Sequence, residues 1–88
     1  MFRMWGKLMK HNRLLQDTTI SIGDYSLTRT QMVFQALDTI CYEFDLERPM
    51  WLSANIHDFQ IHAKTRFVQD NFIESIDFDF LEIQVIEE

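Results

Sequence analysis

A capped amphipathic helix set between segments of alternating polarity leaves this chain few ways to fold. Thr28 and Gln31 form a Thr-x-x-Gln capping box, in which each side chain satisfies a backbone N–H that the first helical turn leaves without a partner. Behind the box, Val33, Leu37, Ile40 and Phe44 recur at three- and four-residue steps, with Phe34 and Cys41 on the flank. Gln35, Asp38 and Glu43 fall outside the stripe. The spacing predicts a helix over residues 29–44. Burying each large apolar side chain contributes roughly 1.5–3 kcal/mol before entropy is subtracted, so this helix anchors the core.

The stripe needs a surface to cover, and the flanking segments supply one. Residues 2–9 read as a strand, with Phe2, Met4 and Leu8 on one face and Arg3, Trp5, Lys7 and Met9 on the other. His11-Asn12-Arg13 is a polar break, with Asn12 suited to a left-handed turn position. Residues 14–22, rich in Thr and Ile, read as a second strand that completes a hairpin ended by Gly23-Asp24. Residues 77–86 close the chain as a strand, with Leu81, Ile83 and Val85 on one face and Phe80, Glu82, Gln84 and Ile86 on the other.

Pro49 closes the helical region, and residues 55–73 fit less clearly. Asn55 can cap a short helix carrying Ile56, Phe59, Ala63 and Phe67 on one face and broken near Thr65. The expected fold is therefore α+β, in the order β-β-α-(α)-β. A largely antiparallel three-stranded sheet, in the spatial order 2-1-3, packs against one main helix.

Eighty-eight residues make one domain, with no room for a second core. Two Gly and one Pro imply short connections between regular elements. A single cysteine rules out an internal disulfide and a thiolate-rich metal site. The first residues lack the unbroken apolar run of a signal peptide, and no stretch approaches the roughly 20 apolar residues that span a bilayer. The expected location is the cytoplasm, without membrane contact.

The net charge is −6 and unevenly spread. Arg3, Lys7, Lys10 and Arg13 stand near the start with no acid among them, while residues 70–88 carry acids and no base. Net acidity argues against general binding to phosphate backbones, so nucleic acid is not the expected partner. In the order 2-1-3 the acidic last strand lies beside the basic first one, where opposite charges across strands contribute about 0.2–1 kcal/mol per pair.

No residue set has the pattern of a catalytic centre. His57 and His62 are five positions apart and point to different sides of a helix, unlike the four-residue spacing that joins two ligands on one metal. Cys41, on the apolar flank of the helix, reads as a packing residue rather than a nucleophile. Neither a phosphate-cradling glycine loop nor a zinc motif occurs, and no cofactor is implied. Lys64-Thr65-Arg66, with His62 before and Asn71 after, is the densest set of anion-binding side chains; a solvated or self-paired cluster is the simpler reading.

Trp5 between Arg3 and Lys7 has the aromatic-and-base mixture of single-strand nucleic-acid platforms, but only one such aromatic is present there. Eight Phe, two Trp and two Tyr are a heavy aromatic load for so small a core. One helix covers one face of a sheet. Either residues 56–73 cover the other, or Trp5, Met9, Phe80 and Ile86 form an apolar patch that takes a partner. Arg3, Trp5, Lys7, Met9 and Phe80 are thus the candidate contact residues, and a homodimer or a basic protein the candidate partner. The leading reading is a small acidic interaction or regulatory module. The alternative is a ligand- or nucleic-acid-binding domain that uses Arg3, Trp5, Lys7 and Lys10, or Lys64–Arg66.

Three blocks carry a resemblance: the helix from Arg29 to Leu46, Met50-Trp51-Leu52, and the stretch from Lys64 to Ile83. In these the chain resembles a family of short bacterial proteins of unknown function. The resemblance implies a free-standing cytoplasmic protein and carries over no catalytic residue.

Overall fold

The turn at residues 11 and 12 sets the first half of the molecule. In the computed structural model, which describes residues 1–88, strand β1 (Phe2–Lys10) pairs antiparallel with β2 (Arg13–Ile22), from Phe2 opposite Ile22 to Lys10 opposite Arg13. His11 and Asn12 both take positive φ, 52° and 62°. That two-residue turn has the twist that matches right-handed strands, so the left-handed position expected at Asn12 extends to His11. A register shift between Leu8 and Met9 leaves Leu15 without a partner on β1.

Helix α1 (Arg29–Glu43) begins as its box dictates. The Gln31 N–H donates to Thr28 Oγ1 at 3.1 Å, and the Thr28 N–H donates to Gln31 Oε1 at 2.9 Å. Its buried residues are Val33, Ala36, Leu37, Ile40 and Cys41. Phe44 caps the other end with its N–H on the Ile40 carbonyl. The helix lies so close on β1 that a Cβ at Gly6 would stand 2.8 Å from both Ile40 Cδ1 and Ile40 Cγ2.

The second half departs from the expected order. Helix α2 spans Ser53–His62, strand β3 spans Lys64–Phe67, and strand β4 spans Phe80–Glu87. There are two helices and four strands, in the order β2-β1-β4-β3, with each neighbouring pair antiparallel. The expected order 2-1-3 survives as β2-β1-β4; the strand at Lys64–Phe67 is the addition. Helix α2 ends where Ala63 turns left-handed, with φ 55° and ψ 27°. Beyond that turn Lys64, Thr65, Arg66 and Phe67 alternate exposed and buried, which is the pattern of a strand. Phe67 therefore reaches the core from a strand rather than from a helical face.

Asn55 also has a different role from the expected cap. The first turn starts from Leu52, and Asn55 lies inside it, buried. Its Oδ1 accepts from the Leu52 N–H at 3.1 Å and from Asn71 Nδ2 at 2.7 Å, while its Nδ2 donates to Thr65 Oγ1 at 3.0 Å and to the Arg66 carbonyl at 2.9 Å. Asn71 Nδ2 also donates to the Met50 carbonyl, and Asn71 Oδ1 accepts from the Val68 N–H. Every polar atom of the two amides is thus partnered, as buried polar groups require. The pair ties the start of α2, β3 and the short 3₁₀ turn Gln69–Asn71 into one unit.

Candidate functional site

Both helices lie on one side of the sheet. Ile40 of α1 sits over Gly6; Gly6 is opposite Ile83, and Ile83 is opposite Thr65, which bonds to Asn55 of α2. Phe2, Met4, Leu8, Leu81, Ile83 and Phe67 belong to this covered side and form the core with both helices. Trp51, just before α2, packs edge-to-face with Phe34, Phe59 and Phe67 at centroid distances of 5.9, 5.4 and 5.1 Å.

The opposite side of the sheet has no helix over it. The segment 56–73 supplies a helix and a strand to the covered side and its edge. All five candidate contact residues meet on the uncovered side, in two neighbouring rows and the rows beside them. Lys7 stands between Asp17 and Glu82, and Glu82 stands between Lys7 and Arg66. The next row runs Thr19, Trp5, Gln84, Lys64. On one flank Met9 faces Phe80; on the other Arg3 faces Glu87, with a 4.0 Å ion pair.

The chemistry of this face centres on Glu82. Its carboxylate pairs with Lys7 Nζ at 2.7 Å and with Arg66 Nε at 2.8 Å. The Lys7 ammonium also lies 4.3 Å from the Trp5 ring centroid, and the Arg66 guanidinium lies 4.3 Å from that of Phe80. Two cations thus bridge one carboxylate and two aromatic rings, an arrangement favourable to each contact. Burial pushes the Glu82 carboxyl up, but hydrogen bonds from Lys7 and Arg66, together with their charges, outweigh it and hold the group below its ordinary 4.5. Trp5 Nε1 donates to Asp17 Oδ2 at 2.9 Å and keeps the indole half-buried against the sheet.

The anion-binding candidates separate. His62, Lys64, Thr65 and Arg66 line one concavity at the end of α2, together with Asp58 and Glu82. Asn71 is elsewhere, buried in its amide cluster. Thr65 turns its hydroxyl inward to Asn55, and Arg66 is taken up by Glu82. A second concave surface was not legible as a unit in the sequence. It is an apolar groove of about 220 Å³ between the helices, lined by Val33, Phe34, Trp51, Ile56 and Phe59. Its residues come from separate segments, and only Trp51 among residues 50–52 hints at it.

No group of three or more His, Cys, Asp or Glu side chains is placed to hold a metal ion. Burial pushes the Cys41 thiol up to about 12, with Asp38 adding to the rise and Arg48 opposing it. No helix is long and apolar enough to cross a membrane. No family model, curated protein or solved structure matches the chain.

Proposed function

We propose that this chain is a protein–protein interaction module whose contact surface is the uncovered face of its sheet. One observation carries the reading: both helices pack on the same side, so a face bearing Trp5, Met9 and Phe80 is left without a layer. A half-exposed tryptophan among charged groups is the residue type enriched where protein surfaces meet. The net charge of −6 favours a basic partner through complementary fields. Binding of ligand or nucleic acid at Arg3, Lys7 and Lys10, or at Lys64–Arg66, has less support, because Lys7 and Arg66 already neutralise Glu82. The same proposal takes the chain as a cytoplasmic member of the family of short bacterial proteins of unknown function, on the blocks Arg29–Leu46, Met50–Leu52 and Lys64–Ile83.

Capture from native cytoplasm with wild-type and Trp5→Ala baits tests the reading. A basic protein held at stoichiometric yield by the wild type should bind Trp5→Ala more weakly by at least about 1 kcal/mol, the floor for a contributing interface residue. Equal retention by both baits would remove the uncovered face from the contact.

A further inference from the structure

The two edges of the sheet are protected very differently. At one edge, β3 is only four residues long and carries Lys64 and Arg66, the short charged form that discourages strand addition. At the other, β2 runs for ten residues without Pro, Gly or Lys, and no element of the chain pairs with its outer side. Every second residue of such an edge turns an unpaired N–H and C=O outward. The Thr18 hydroxyl donates to Glu43 Oε1, so α1 sits behind this strand rather than beside it.

We infer that β2 pairs with β2 of a second copy, antiparallel about a two-fold axis at Thr19, joining two four-stranded sheets into one of eight. Charge selects this occupant. The molecule carries −6 overall, and like-charged copies repel, yet Arg13 and Asp17 are the only charges on β2 and they cancel. The strand itself is neutral, so two acidic copies meet along it without net like-charge repulsion, the nearest acid of α1 being Glu43 behind Thr18.

The register follows from the part of β2 that is free of irregularity, Gln16–Ile22, which pairs residue for residue with Phe2–Leu8. Thr19 is its centre. A two-fold axis there sets Thr19 opposite Thr19 of the second copy, Asp17 opposite Ser21, and Thr18 opposite Ile20. No like charges face each other, and each Asp17 carboxylate meets a hydroxyl. Cross-strand pairs of these kinds are favourable. Both α1 helices then lie on the same side, and the two uncovered faces become continuous. The pairing uses the backbone of an edge, so it goes beyond the binding proposed for the uncovered face and does not depend on it.

Thr19 is exposed, so charged replacements there leave the fold intact, which far-ultraviolet circular dichroism checks. Light scattering of the wild type at micromolar concentration should give twice the 10.6 kDa chain mass. Thr19→Lys and Thr19→Glu each place like charges opposite one another and should raise the dimer dissociation constant by up to about fivefold. Mixing the two variants sets Lys against Glu and should restore the dimer. A wild type that scatters as 10.6 kDa overturns the inference, and so does a mixture no tighter than either variant alone. A dimer broken by Phe80→Ser and indifferent to Thr19→Lys also overturns it, because the contact then lies on the uncovered face.

Discussion

Glu82 sits on the uncovered side of a sheet and is nevertheless only 5% exposed, because Lys7 and Arg66 fold over it. Glu82→Gln keeps the shape and removes the charge. Arg66 is largely exposed and its pairing is screened by solvent. The substitution should therefore cost about 1–2 kcal/mol at neutral pH, near the lower part of the range for charged hydrogen bonds. The folded carboxyl titrates below its ordinary 4.5, so its contribution is fully present above that pH. It is lost as pH falls through the lower, folded value. Urea unfolding should show the wild-type advantage in full at pH 7 and shrinking once the pH falls below 4.5. A gap unchanged with pH would mean that shape, not charge, carries the effect. Cys41 gives a second residue-scale expectation. With its thiol pushed up to about 12, the folded protein should resist a thiol reagent at about pH 8 and react on addition of denaturant.

The contact of α1 with β1 depends on one missing methyl group. Gly6→Ala would place its Cβ 2.8 Å from two atoms of Ile40, a wholly buried and β-branched side chain with little freedom to move. Overpacking of this kind costs about 1–3 kcal/mol, and Ile40→Ala in the same chain should recover part of it. Strictly additive losses in thermal unfolding would contradict that close approach. Helix α1 was the most legible element, since the Thr28–Gln31 box and the stripe from Val33 to Phe44 are local signals. The hairpin and β4 were legible by alternation, with boundaries at most three residues from those observed. Strand β3 was not. Four residues are too few to show a period, and Phe59 and Phe67 share a helical spacing by coincidence. What makes Lys64–Phe67 a strand is Ala63 turning left-handed and the Asn55–Thr65 bond, and neither is visible along the sequence.

At the scale of the whole molecule, the placement of Arg3, Trp5, Lys7, Met9 and Phe80 on related rows of the sheet followed from alternation and the adjacency of first and last strands. The Lys7–Glu82 and Arg3–Glu87 pairs realise the cross-strand charge match that the uneven distribution implied. Which side the segment 56–73 would cover was not legible, because it depends on β3 joining the far edge. Asn71 went unrecognised as structural for the same reason: its partners, Met50, Asn55 and Val68, are brought together only by that edge.

The pairing of β1 with β4 has a consequence during synthesis. These strands lie side by side in the middle of the sheet, yet they are separated by nearly the full length of the chain. As the polypeptide leaves the ribosome, the β1–β2 hairpin and α1 emerge first, with one flank of β1 unzipped and the underside of α1 only half covered. Neither can be completed until β4 is released from the exit tunnel. Until β4 emerges β1 has only one neighbour, and closing the sheet joins distant segments, the kind of topology that folds slowly for its size.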